Sequence, residues 1–131
     1  MGEWFRRELA ADTGGRAENE MPIFITQGRY TREAIKGMVV SPEDRADAIS
    51  RLLSKVGGRL IGYYLTFGEY DFLVIAEAPG QTQMAAALLA VGSGGGVTGL
   101  KTTLAMTSIE AKGAFAAASD LTAGFRSAGG V

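Results

Sequence analysis

Strand-forming residues crowd the stretch Ile23, Phe24, Ile25, Thr26, Gln27, Gly28, Arg29 and Tyr30, and this density of β-branched and aromatic types predicts a first strand over residues 23–30. Thr31 has the character of a helix N-cap, so a short helical turn is expected to run through residue 36. The first long helix is expected to open at Ser41 as N-cap. Pro42 would then take the first helical position, where its missing N–H costs nothing, and Glu43, Asp44 and Asp47 would face the positive end of the dipole. Ile49, Leu52, Leu53 and Val56 recur at the spacing that keeps one helix face apolar, and Gly57 and Gly58 stop the helix.

A second strand is predicted over residues 59–67, a turn at Gly68 and Glu69, and a third strand over residues 70–78, which together make a hairpin. After Pro79 and Gly80 the pattern predicts a helix over residues 82–91, with Met84, Leu88 and Leu89 as its buried side. The run Gly92, Ser93, Gly94, Gly95, Gly96 is a flexible connection. It leads from helix to strand, the reverse of a phosphate-cradling loop. A last strand over residues 97–106, a short helix over residues 109–117 and a tail of small residues complete the chain. The order βαββαβ predicts an α+β, ferredoxin-like fold: a four-stranded antiparallel sheet with both long helices on one face.

That arrangement leaves a problem on the other face. In the third strand Phe72, Val74 and Ala76 alternate with Leu73 and Ile75, and in the second strand Leu60, Ile61, Tyr63, Tyr64, Leu65 and Phe67 fall on both sides. Helices cover only one of these faces. Large contiguous apolar patches are rare on monomers, so a second copy of the chain, packed sheet to sheet, is the expected cover.

Composition narrows the chemistry. The chain has 131 residues, enough for one domain, and a formal charge of −1 with scattered Lys and Arg, which argues against nucleic-acid binding. It has no cysteine and no histidine. Disulfides, thiolate nucleophiles, the commonest zinc ligand, the usual general base and the usual proximal haem ligand are thereby removed, and neither metal nor cofactor is expected. No apolar run is long enough for a signal peptide or membrane span, so a cytoplasmic protein without membrane association is expected. Residues 1–20 are polar and aperiodic apart from Trp4, Phe5 and Leu9, and are expected to be a disordered leader, with Met21 as the natural start. The folded domain would then occupy residues 21–110, with residues 111–131 as helix end and tail.

Two groups of residues are candidates for a site. At the hairpin turn, Gly68 supplies a positive φ, and Asp71 accepts hydrogen bonds from turn amides or, with Glu69 nearby, serves as an acid or base at a cavity mouth. Tyr70 would point away from both. Tyr63 and Tyr64 read as core and interface aromatics, but a buried tyrosine hydroxyl needs a polar partner, which Arg29, Gln27, Thr66 or Thr102 could provide. Arg29, Tyr63, Tyr64, Thr66 and Thr102 thus form the candidate ligand-binding set, between sheet and helices or at the dimer seam.

Several motifs occur in a fixed order: the opening strand of residues 22–30, Thr31 with Ile35, Ser41-Pro42-Glu43-Asp44-Arg45, Gly57-Gly58, Gly62-Tyr63-Tyr64, Gly68-Glu69-Tyr70-Asp71, Glu77-Ala78-Pro79, and Gly96-Val97 at the start of the last strand. In these the chain resembles the GYD family of small bacterial proteins over residues 21–109. The resemblance implies a dimeric α/β barrel and leaves the activity open. The turn and the Gly-Val start of the last strand bear a fainter resemblance to the effector-binding domain of leucine-responsive regulators, which implies a free-standing small-molecule sensor. The wider barrel class also contains cofactor-free monooxygenases, muconolactone isomerase-like enzymes and chlorite dismutase-like haem proteins. The leading expectation is a homodimeric binding or accessory module for a small, largely apolar molecule. The alternatives are a cofactor-independent oxygenase or isomerase using Asp71 with Tyr63 or Tyr64, and a structural subunit of a larger assembly.

Overall fold

A computed structural model describes residues 21–130; the sequence features at Trp4, Phe5 and Leu9 lie outside them. Strand β1 (Ile23–Tyr30) alternates as its sequence requires, with Phe24, Thr26 and Gly28 buried, Ile23, Ile25 and Gln27 half-exposed and Arg29 exposed. Thr31 ends it and caps α1 (Arg32–Val40), its hydroxyl accepting from the Ala34 N–H at 3.2 Å. Helix α1 runs four residues beyond the predicted stop and buries none of its side chains.

This extra turn displaces the start of the next helix from the expected Ser41. Ser41 ends α1, its N–H donating to the Gly37 carbonyl at 2.9 Å, and the N-cap of α2 (Arg45–Lys55) is Asp44, whose carboxylate accepts from the Ala46 N–H at 3.0 Å. Ser41 and Asp44 are both capping residues. Because the end of α1 occupies Ser41, capping of α2 passes to the next competent side chain, and residues 42–44 stay outside the helix.

Strands β2 (Arg59–Leu65) and β3 (Phe72–Glu77) form the predicted hairpin, helix α3 spans Gln81–Ser93, and β4 spans Val97–Ala105. The sheet is antiparallel with order β2-β3-β1-β4, the order of a ferredoxin-like fold. Phe24, Leu53, Phe72, Val74, Ala76, Ala78, Met84 and Ala87 form the core, with Ile49, Leu52, Leu88 and Leu100 packed against it. Leu89 is not part of it: at 74 % exposure it faces outward, because the buried stripe of α3 follows Met84, Ala87, Leu88 and Val91 at the i, i+3, i+4, i+7 spacing.

The hairpin register assigns the tyrosine pair. Tyr63 sits opposite Val74 and shares the helix-facing side, while Tyr64 sits opposite Leu73 and shares the outer side. On that outer side Ile23, Ile25, Leu73 and Ile75 are half-buried and Tyr64 is 56 % exposed, while Ile61, unpaired at the register shift of β2, is 45 % exposed.

Residues 21–105 make one unit, and residues from Met106 onward belong to another. In the latter, α4 (Ser108–Ser119) opens with a capping box: the Glu110 N–H donates to the Thr107 hydroxyl at 3.1 Å, and the Thr107 N–H donates to the Glu110 carboxylate at 3.0 Å.

Candidate functional site

Helices α2 and α3 do not seat fully on the sheet. Between them lies a cavity of about 60 Å³ whose walls are Ile49, Leu52 and Leu53 of α2, Met84, Ala87 and Leu88 of α3, and Phe72, Val74 and Leu100 of the sheet. Ala76 and Ala87 line it at positions where larger side chains would fill it. Thr26, within the wall, has its hydroxyl bonded to that of Thr102 at 2.9 Å. The remaining polar groups belong to Tyr30, Tyr63 and Arg45.

These three converge because each ends, or nearly ends, an inward-facing series. Tyr30 follows Phe24, Thr26 and Gly28 on β1, and Arg45 begins the stripe continued by Ile49 and Leu52 on α2. The Tyr30 and Tyr63 hydroxyls are hydrogen-bonded at 2.5 Å. Phe72 packs against both rings, its centroid 5.0 Å from that of Tyr30 and 6.0 Å from that of Tyr63. Burial pushes the Tyr63 hydroxyl well above its ordinary pKa of 10.0, and its bond with Tyr30 adds to that; the Arg45 guanidinium beside it pulls the other way. Arg45 also donates from Nη1 to Glu43 Oε2 at 3.0 Å, with both side chains partly exposed.

Beyond the mouth a shallow groove of about 590 Å³ runs between α1 and the end of β2, past Ile35, Val39, Leu65 and Phe67. Tyr63, Thr66 and Asp71 all border it. Asp71, however, is already engaged. Its Oδ2 accepts from the Tyr30 N–H at 2.9 Å, its own N–H donates to the Gly28 carbonyl at 2.8 Å, and its carbonyl accepts from the Thr66 N–H at 2.9 Å. The Thr66 hydroxyl donates to the Tyr70 carbonyl at 2.7 Å.

The other nominated residues lie elsewhere. Arg29 donates to the Glu69 carbonyl at 2.8 Å, approaches its carboxylate at 3.8 Å and lies over the Tyr70 ring at 5.1 Å, so it fastens the turn from outside. Gly68 holds φ at +119°, which a side chain rarely tolerates. Tyr64 is on the outer face and Thr102 is bonded to Thr26, so the five residues nominated for ligand binding do not surround one space. The partner of Tyr63 is Tyr30 rather than Arg29, Gln27, Thr66 or Thr102. Tyr30, Arg45 and Glu43 stand outside the nominated set. Period-two alternation from Phe24 points to the first, and the α2 stripe extended backward points to the second.

Among the described residues no group of three or more His, Cys, Asp or Glu could hold a metal ion, and no helix is long and apolar enough to cross a membrane.

Comparison with known proteins agrees with this frame. A protein of Thermus thermophilus named glutamine synthetase and cystathionine beta-lyase binding protein is 31 % identical over 77 residues, 59 % of this chain and 81 % of that one. The family model described as GYD domain matches residues 24–115. With the family match covering most of its length, the chain belongs to the GYD domain family.

Proposed function

We propose that this protein is an accessory binding module: a homodimer that takes a small, largely apolar molecule between its sheet and helices and acts through contact with other proteins. The carrying observation is the apolar cavity with its polar groups gathered at one end, around Tyr30, Tyr63 and Arg45. Small-molecule sites have this character, mostly apolar walls with a few convergent polar groups. Asp71 serves in this reading as a fastener of the β1 end and the turn, since its carboxylate is bonded to the Tyr30 N–H. The name of the Thermus thermophilus relative supports the accessory role, being that of a protein that binds two enzymes.

The homodimer rests on the outer sheet face, where Tyr64 is exposed beside half-buried Ile25, Leu73 and Ile75. A partner covering about 800 Å² of each copy is a standard interface. Analytical ultracentrifugation should find a dimer at micromolar concentration, and Tyr64→Lys should shift it toward a folded monomer; a monomeric parent protein would refute the pairing. For the ligand, native mass spectrometry of protein purified from its own host should show a retained small mass that is lost on denaturation. No retained mass, together with no stabilisation across a thermal-shift panel of small apolar compounds, would refute the binding role.

A further inference from the structure

The mouth of the cavity specifies more than an apolar ligand. From the donors gathered there and the size of the space behind them, we propose that the site takes a small carboxylate with a short branched apolar tail, its carboxylate held by Arg45 and the Tyr30–Tyr63 hydroxyl pair and its tail directed into the cavity. This rests on the binding role proposed above and adds the chemical class.

Size comes first. One water occupies at least about 10–15 Å³ on the measure that gives this cavity about 60 Å³, so the space behind its open mouth admits roughly four to six non-hydrogen atoms. A long acyl chain or a ring system does not fit within it. Ile49, Leu52, Met84 and Leu88 offer the tail no polar partner, and the Thr26 hydroxyl is already bonded to Thr102.

Charge and hydrogen bonding come next. A guanidinium offers five N–H donors in a fixed fork; the bond to Glu43 Oε2 uses one and the Tyr63 hydroxyl engages another, which leaves three. The two tyrosine hydroxyls bring two protons, of which their mutual bond uses one, leaving one for a ligand oxygen. The Tyr63 hydroxyl, an acid of pKa 10.0 that burial raises further, is protonated at neutral pH. Donors therefore outnumber acceptors where the cavity opens, and a planar fork matches a carboxylate best. Glu43 does not close the site. It is half-exposed and its bond to Arg45 is a surface pair, which is weak, so a better-desolvated ligand carboxylate can compete for the same guanidinium. Glu43 also stands where a ligand ammonium group beside the carboxylate would be welcome. Simple acids, 2-oxo acids and 2-amino acids with the same tail share the proposed chemistry.

The test is calorimetric titration of the full chain with four probes of one tail: isocaproate, its 2-oxo analogue, its 2-amino analogue leucine, and the uncharged isohexanol. At least one carboxylate should bind ten-fold or more tighter than isohexanol, a margin of about the size expected of a hydrogen bond to a charged group. Arg45→Gln should erase that margin by weakening the carboxylates far more than isohexanol, which carries no charge for the guanidinium to hold. Ala87→Leu, which fills the cavity, should weaken all four probes. Preference for leucine over isocaproate would assign the ammonium to Glu43 and be lost in Glu43→Gln; the reverse order would assign the site to simple or 2-oxo acids. Isohexanol binding as well as every carboxylate, or an Arg45→Gln variant that keeps the margin, overturns the carboxylate assignment and leaves the apolar-ligand reading standing. Binding of none of the four overturns the carboxylate assignment, while the binding role itself is decided by the mass-spectrometric and thermal-shift measurements above.

Discussion

Replacing Asp71 separates a fastener from a catalyst. The carboxylate accepts from the Tyr30 N–H at 2.9 Å, and Tyr30 is the residue whose ring walls the cavity and whose hydroxyl meets Tyr63. Asp71→Ala removes a charge-assisted bond and leaves a part-buried backbone donor unsatisfied, a loss of about 1.5–3 kcal/mol for hydrogen bonds to charged groups. Because Asp71 is only partly buried, water recovers some of that, and about 1–2 kcal/mol is expected. For a domain of this size each kcal/mol lowers the melting temperature by about 4–8 °C, so a fall of roughly 5–15 °C should be seen by calorimetry. Asp71→Asn keeps an acceptor oxygen without the charge and should lose about half as much. Amide exchange should localise the effect, with the Tyr30 N–H exchanging faster in the order wild type, Asn, Ala. The backbone bonds from Asp71 to Gly28 and Thr66 need no side chain and should persist, so the damage stays at the end of β1. An Asp71→Ala protein as stable as its parent, with unchanged Tyr30 exchange, would refute the fastening role. If that variant also lost a measured activity, Asp71 would return as the base.

The same region supports two more tests. Because burial holds the Tyr63 hydroxyl above 10.0, the unfolded chain loses this proton first as pH rises; the contribution is intact below about pH 10 and declines above it. Tyr63→Phe should remove that part of the alkaline destabilisation, and urea unfolding from about pH 8 to about pH 11 would show it, parallel declines in both proteins being the refuting result. Gly28→Ala would place a Cβ 2.6 Å from Cζ of buried Phe72 and 2.8 Å from Cδ2 of partly buried Leu100, and should destabilise by about 1–3 kcal/mol; a variant as stable as the parent would show that both side chains can move aside.

Much of the fold is legible in the sequence because its determinants are local. Alternation sets the strand faces, the Gly68 turn sets the hairpin, and the βαββαβ order sets the sheet. Sequence and structure part where two local solutions compete. Ser41 and Asp44 are both N-cap residues, and which of them starts α2 depends on how far α1 runs, a length its exposed Val39 and Val40 do not announce. Hydrophobicity alone directs Leu89 inward, against the helical spacing that Met84, Ala87 and Leu88 define.

The site is harder to read for a different reason. A carboxylate in a glycine turn and a tandem tyrosine draw attention as chemistry, yet the turn residues mostly satisfy one another, through Arg29 with Glu69 and Thr66 with Tyr70. The groups left facing the cavity stand at or near the ends of core-directed series, in places that sequence reading fills with hydrophobes: Tyr30 after Gly28 on β1, Tyr63 on the inner side of β2, Arg45 ahead of Ile49 and Leu52 on α2. The first long helix, begun at Pro42, would have put Arg45 in an ordinary charged first turn. Begun after Asp44, it makes Arg45 the first residue of the buried stripe, beside the Tyr63 hydroxyl. A polar side chain that continues an apolar stripe past the edge of the core is therefore the signal to seek in chains of this pattern, because burial there costs free energy unless the group finds a partner, as the Tyr63 hydroxyl does in that of Tyr30.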